Sequence, residues 1–340
     1  MNETSQIEQS EPTTAQQSLT ALAGRGAFGG VLMGLANLVP GISGGTMLLA
    51  AGIYPRFINA IAEVTTFKFR MRSLVVLASV VIAALLGIIL LAGVLKDLVV
   101  DYRWIMYSLF IGLTLGGLPV VYRMAKPINS QVITTAIVAF LGMAGLAYLQ
   151  ATGVVGSTGS SSMMLGIAGV SGAAAMILPG LSGGYILLLL GQYVPILSGI
   201  SEFKDALKAG DLNAAMDPAM NVMLPVGIGV ILGVVVISNL LKWLLKNYRQ
   251  ATLGLLIGLL LGSVAGLWPF QHSVEPVVGE TVIKGQLVTA ENLEEFERED
   301  FPTEFFRPTG SQVWSAIALG FIGFSITTIV ARIGGDDSEV

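Results

Sequence analysis

Long stretches without a single charged side chain set the first limit on what this chain can fold into. They cover Gly26–Pro55 (30 residues), Ser73–Leu95 (23), Trp104–Tyr122 (19), Pro127–Ser201 (75), Pro218–Leu241 (24), Gln250–Val274 (25) and Pro308–Ala331 (24). A bilayer core about 30 Å thick takes about 20 apolar residues as helix, so most of these runs can span it. A soluble domain has no way to bury so much: 54% of the residues are hydrophobic against 12% charged, and the mean hydropathy is +0.77. The expectation is an all-α polytopic membrane protein.

Several function classes fall away on residue types alone. With no cysteine and one histidine, His272, the sequence offers no disulfide, no thiolate nucleophile and no Cys- or His-rich metal site, and no cofactor is expected. A net charge of -4 without a dense Lys/Arg run argues against nucleic acid as a partner. Residues 1–24 are polar and acidic, unlike the basic start and short apolar core of a cleaved signal; they read as a disordered cytoplasmic tail, with a second short tail at 334–340.

The chain is also duplicated. Asn37-Leu38-Val39-Pro40-Gly41-Ile42-Ser43-Gly44-Gly45-Thr46 recurs as Met176-Ile177-Leu178-Pro179-Gly180-Leu181-Ser182-Gly183-Gly184-Tyr185, with Gly52 and Tyr54 matched by Gly191 and Tyr193. Further on, Leu95-Lys96 corresponds to Leu241-Lys242, Tyr102-Arg103 to Tyr248-Arg249, Ile111-Gly112 to Ile257-Gly258, and Ser130-Gln131-Val132 to Ser311-Gln312-Val313. Repeat 1 is assigned to residues 25–150 and repeat 2 to 163–333, joined by a polar Gly/Ser linker at 151–162. An insertion at 271–309 in the second repeat holds nine acids and three bases, the one sizeable water-exposed element.

In each repeat the Pro-Gly-x-Ser-Gly-Gly sequence interrupts an apolar run, removing an amide donor and adding flexible positions. The arms left on either side, roughly 13 to 17 residues each, suit a re-entrant hairpin at about 26–62 and 163–201, followed by three spans. An odd number of crossings per repeat turns the second upside down, giving two inverted-topology repeats, each a re-entrant helical hairpin plus about three transmembrane helices. The Lys/Arg distribution favours that plan. Leaving the long insertion aside, re-entrant hairpins place 11 basic residues on the cytoplasmic side and 4 outside, whereas spanning hairpins give 8 and 7. Both termini are then cytoplasmic.

A Pro-Gly turn leading into a helix through Ser-Gly-Gly presents unpaired amides, a hydroxyl and the positive end of a helix dipole to one point, which makes an anion site. Two such helix starts facing one another, each worth about half a charge, would offset one negative charge at the membrane midplane. The candidate ligands are Gly41, Ser43, Gly44, Gly45 and Thr46 from the first motif and Gly180, Ser182, Gly183, Gly184 and Tyr185 from the second. Asn37 is a supporting candidate that also suits a helix-end cap, and Arg25 and Arg56 flank the first hairpin, where they could attract anionic headgroups but where snorkelling to the interface is the default account. Arg103 and Arg249 read as interfacial anchors. Small residues such as Gly30-x-x-x-Gly34 suit close helix packing, and packing is the better account of any single glycine; the recurrence of the whole motif at equivalent places is what points to a site. Gly41-Ile42-Ser43-Gly44 also fits a serine-hydrolase pattern, but the nucleophile would need a base, and neither His272 nor any lysine belongs to a motif segment. An enzyme is therefore not expected.

The two motif segments, Asn37 to Tyr54 and Met176 to Tyr193, with the spacing and helix count around them, resemble the DUF368 (PopT) family of polyprenyl-phosphate transporters over about Gly26 to Ile333. Membership would imply translocation of undecaprenyl phosphate, the lipid carrier of cell-envelope polymer synthesis, back to the inner leaflet of a bacterial or archaeal cell membrane for reuse. On that resemblance the family motif falls on Pro40, Gly41, Ser43, Gly44, Gly45 and Thr46, and on Pro179, Gly180, Ser182, Gly183 and Gly184. Two positions depart from the family pattern. Gly184 stands where a serine is frequent, and Pro55-Arg56 follows Gly52-Ile53-Tyr54 where an acid is frequent, so position 184 has no hydroxyl and no carboxylate adjoins Tyr54. The alternative from another class is a channel or secondary carrier for a small anion, which helix starts of this kind serve equally well. No acid lies inside the apolar segments, Glu63 being nearest at an edge, so the coupling ion is not identified.

Overall fold

The computed structural model describes residues 19–37, 43–151, 161–283, 286–293, 296 and 301–333. Repeat 1 comprises α1 (Leu19–Asn37), α2 (Gly44–Ala50), α3 (Tyr54–Thr65), α4 (Met71–Asp101), α5 (Arg103–Met124) and α6 (Ser130–Ala151). Repeat 2 comprises α7 (Ser162–Ile177), α8 (Gly183–Leu189), α9 (Tyr193–Lys208), a short α10 (Leu212–Pro218) that runs through a π turn into α11 (Leu224–Asn247), then α12 (Arg249–Gly266) and α13 (Gly310–Ile333). Six helices are long and apolar enough to cross a membrane, or eight if each of two bent pairs forms one span. The expected polytopic helical membrane protein is what the structure shows. The first helix starts earlier than expected: Leu19–Gly24, read above as tail, form its opening turns, and Leu22 is buried.

The segment after each motif is not the single arm that the sequence suggested. It breaks again, α2 turning into α3 through 118° and α8 into α9 through 110°. The cause is local and occurs twice. The Gly52 amide donates to Leu49 O (2.9 Å) and the Ile53 amide to Leu48 O (3.1 Å); in repeat 2, Gly191 donates to Leu188 O (2.9 Å) and Gln192 to Leu187 O (2.9 Å). This is the Schellman arrangement, and it needs a left-handed residue, supplied by Gly52 at φ 66° and Gly191 at φ 67°. Pro55 in the first turn of α3 then starts the next helix in its new direction.

Packing follows the duplication. α1 lies along α4 and α7 along α11; α5 pairs with α13, and α12 with α6, so each repeat lends its last helix to the other. Glycines line these seams: Gly30 and Gly34 on Val80 and Ala84, Gly112 on Gly320, Gly258 on Ala136. Small residues let helices approach closely where lipid offers no hydrophobic drive, and here the packing account of Gly30 and Gly34 is the right one. The largest buried cluster surrounds the first bend, with Leu48, Leu49, Ile53 and Tyr54 packed among Val80, Val121, Leu241, Leu253 and Leu260.

Two contacts sort the helix ends. A cavity gathers Glu63 of α3, Met124 of α5, Lys242 and Lys246 of α11 and Arg249 of α12 at one end of the bundle. At the other end of α5, about 33 Å away along its 22 residues, the Arg103 guanidinium donates to Ser273 Oγ (3.1 Å) in the acidic insertion. There β1 (Gln271–Ser273) pairs antiparallel with β4 (Thr303–Phe305), and β2 (Val282–Ile283) with β3 (Gln286–Leu287).

Because a left-handed Ala costs about 1–2 kcal/mol, Gly52→Ala and Gly191→Ala are each expected to lower stability by about that amount. Thermal unfolding of the purified variants in detergent measures it, and an unchanged midpoint for both would show that the two bends are not fixed by their glycines.

Candidate functional site

The two Pro-Gly-x-Ser-Gly-Gly motifs meet inside the bundle. Ser43 Oγ donates to the Leu178 carbonyl oxygen (3.0 Å) and the Gly180 amide donates to Thr46 Oγ1 (2.8 Å), contacts that bridge 135 and 134 residues of chain. Ser43 and Thr46 are 4% and 2% exposed. Gly45 completes the contact by absence of a side chain, since a Cβ there would stand 2.6 Å from Ile177 O. Gly180, at φ 92°, occupies a left-handed position and lies against Leu259 O of α12. Asn37 reaches the same place from the end of α1, its side-chain oxygen 3.0 Å from where a Cβ of Gly44 would be. Gly41 and Pro40 lie outside the described residues.

The bridge assigns the hydroxyls different work from the sequence expectation. The proton of Ser43 is held by a main-chain carbonyl, which leaves its lone pairs but no donor; Thr46 accepts an amide and keeps its proton to give. Ser43 has the Leu178 carbonyl as its acceptor, and His272 sits on β1 with its ring 6.0 Å from that of Phe306. Among the described residues no His/Asp/Glu group is suited to hold a metal ion.

The repeats are not in equivalent environments. Every residue of α2 is buried, and α2 packs on α1, α5, α7 and α13, while α3 packs on α4 and α11. No residue of α8 is buried, and among the described residues its extensive packing is on α7 and α9; α9 in turn leans on α10 and the π turn. Ser182, Gly183, Gly184 and Tyr185 are accordingly partly exposed, and among the described residues a Cβ at Gly184 would meet only Tyr193, at 3.7 Å, where its repeat equivalent Gly45 has no room. The Tyr185 hydroxyl is buried without a partner. The second motif thus presents an open helix start beside a first motif that is closed. Arg25 and Arg56 do not join this assembly. Arg25 is twelve residues before Asn37 on α1, about 18 Å along the axis, and Arg56 lies beyond the far end of α2, in the first turn of α3; both are partly buried.

Sequence reading passed over the cavity residues. Tyr54, 3% exposed, has a hydroxyl without a partner, and stands on the same cavity wall as Asn59, Glu63, Lys242, Lys246 and Arg249. The available signal was repeat correspondence, Lys242 with Lys96 and Arg249 with Arg103, joined by Glu63 with Glu202; what it lacked was the knowledge that α3 and α11 pack together.

Helices broken inside a polytopic bundle, with their breaks meeting in its interior, define a membrane transporter of the broken-helix type. The family described as VCA0040-like, undecaprenyl phosphate translocase-like, matches residues 33–283, and the chain belongs to it. It is 28% identical over 290 residues to the polyprenyl-phosphate transporter of Vibrio cholerae serotype O1, covering 81% of this chain and 87% of that one. To the polyprenyl-phosphate transporter of Staphylococcus aureus it is 30% identical over 251 residues, 71% of this chain and 84% of the other. No solved structure matches it.

Removing the Thr46 hydroxyl while keeping its shape leaves the Gly180 amide buried without an acceptor, at a cost of about 1–3 kcal/mol. Thr46→Val is expected to lose that much stability and Thr46→Ser considerably less, as read by thermal unfolding in detergent. Equal effects of the two would show that the bridge does not depend on this hydroxyl.

Proposed function

We propose that this protein carries undecaprenyl phosphate between the leaflets of a bacterial or archaeal cell membrane by alternating access, returning the lipid carrier for reuse in cell-envelope synthesis. Family membership and the two relatives named as polyprenyl-phosphate transporters support the substrate. The observation that carries the mechanism is the meeting of the two motifs with one side closed and the other open. The lipid's hydrocarbon tail can stay among the acyl chains while only the phosphate crosses. That phosphate would cost several kcal/mol or more at the bilayer centre unless fixed dipoles meet it. The start of α8 provides them: amides of Gly183, Gly184 and Tyr185, the Ser182 hydroxyl, and the remaining proton of Thr46 across the bridge. In the alternate state Gly41, Ser43, Gly44, Gly45 and Thr46 would take the equivalent part, with Gly180 on the opposing strand and Asn37 in support.

The inverted arrangement of the repeats belongs to this proposal. It is supported by the gathering of Glu63, Met124 and Lys242–Arg249 at one bundle end and of Arg103 with the insertion at the other, the grouping that hairpins returning to their own side require. On the positive-inside rule the basic end and both termini face the cytoplasm, and the acidic insertion faces out. A protein that moves a lipid and breaks no bond is a carrier, not an enzyme.

Ser182 tests the site with least disturbance, because it is partly exposed and its side chain caps no amide of α8. Reconstituted in liposomes, the wild type is expected to move undecaprenyl phosphate between leaflets without conducting chloride. Ser182→Ala should slow movement roughly tenfold, the scale of one hydrogen bond to a charged group, at an unchanged melting temperature, and Ser43→Ala/Ser182→Ala should abolish it. Chloride flux without lipid movement would replace this reading with the anion carrier.

A further inference from the structure

The cavity at the basic end of the bundle has a volume of about 540 Å³ and two chemically distinct parts. Its walls are apolar: Ile58 from α3, Val121 from α5, and Leu253 and Leu256 from α12. Its rim carries Lys242 and Lys246, one turn apart on the same face of α11, and Arg249 at the start of α12. The acid on the wall does not cancel the two lysines. Glu63 accepts from Ser73 Oγ (2.6 Å) and Arg70 Nη1 (3.2 Å), both outside the cavity lining, while neither rim lysine has an acidic partner among the described residues. Deeper in, Leu49 and Tyr54 form the wall at the first bend, so the cavity ends one length of α2, about 10 Å, short of the bridged motifs.

We propose that this cavity is a second binding station for an isoprenoid phosphate monoester, with the phosphate held at the Lys242–Lys246–Arg249 rim and the first isoprene units lying along the apolar wall toward Tyr54. The assignment rests on the transport reading above and adds to it a site outside the paired motifs. Size and polarity select the ligand. A free phosphate would leave nearly all of a drug-sized volume empty, an uncharged prenol would leave the two rim lysines without a counterion, and a molecule with an anionic end and a branched hydrocarbon tail satisfies both parts. Trp243 and Tyr248, their rings 5.4 Å apart beside the rim, place it at headgroup depth, where aromatic side chains concentrate. The station is where the carrier's phosphate is received or released at the membrane surface, one helix length from the site that takes it through the centre.

The experiment follows acetylation of Lys242 and Lys246 by mass spectrometry on the full-length protein in nanodiscs, with farnesyl phosphate, farnesol, inorganic phosphate or dioleoyl phosphatidic acid added, alongside binding of farnesyl phosphate to wild type and to Lys242→Gln/Lys246→Gln. Farnesyl phosphate is expected to protect both lysines and the other three to protect neither. The double variant should bind farnesyl phosphate roughly tenfold more weakly, as two charge-assisted contacts at a wet rim imply, with an unchanged melting temperature and a loss that shrinks in high salt. Equal protection by phosphatidic acid would overturn the isoprenoid assignment in favour of a general anionic-lipid site. Unchanged farnesyl phosphate binding in the double variant, with undecaprenyl phosphate movement intact in liposomes, would overturn the second station and leave the transport reading standing. Failure of the wild type both to bind farnesyl phosphate and to move undecaprenyl phosphate would overturn the two together.

Discussion

A helix broken inside hydrocarbon exposes amides and carbonyls that no water can reach, and everything else in this fold depends on how those groups are satisfied. Two breaks solve the problem jointly. Ser43 gives its proton to the Leu178 carbonyl, and Thr46 takes one from the Gly180 amide. Hydroxyls of the first motif thus satisfy main-chain groups at the second break and hold the two motifs together at the point where polar chemistry is needed. Gly45 permits the approach, since any side chain would collide with Ile177 O.

The same bridge makes asymmetry mechanically meaningful. With α2 packed among α1, α5, α7 and α13 and α8, among the described residues, packed mainly on α7 and α9, similar local sequences sit in different surroundings. The left-handed glycine at each bend gives α2–α3 and α8–α9 a similar internal shape, so the two hairpins differ more in what they touch than in how they fold. In the transport cycle proposed above, each hairpin would join the core in one state and stand away from it in the other.

Much of this was legible in advance, for identifiable reasons. Charge-free runs mark spans because a charged side chain in hydrocarbon is costly; Trp104–Tyr122 became α5 and Pro308–Ala331 became α13 almost residue for residue. The second break, at Gly52 and Gly191, was visible as a recurrence but not as a bend, because a glycine in an apolar run looks the same whether it packs a helix or ends one. Local hydrogen bonds to Leu48 and Leu49 decide between those outcomes. Thr46 and Ser43 were identified as polar groups of the motif, yet their partners lie more than 130 residues away and could not be read from spacing.

The sequence by itself determined the membrane-spanning helices, the duplication and the helix break at each Pro-Gly-x-Ser-Gly-Gly motif, because these follow from side-chain transfer energies and backbone chemistry that act over a few residues. Tertiary structure alone decided that the breaks join, that the last helices are exchanged between repeats, that one hairpin is buried while its twin stands open, and that Lys242, Lys246 and Arg249 close around an apolar cavity with Glu63 already engaged by Arg70. Each of these depends on which surfaces face one another across long stretches of chain, and in a molecule whose helices are apolar on nearly every side, periodicity carries no record of the partner.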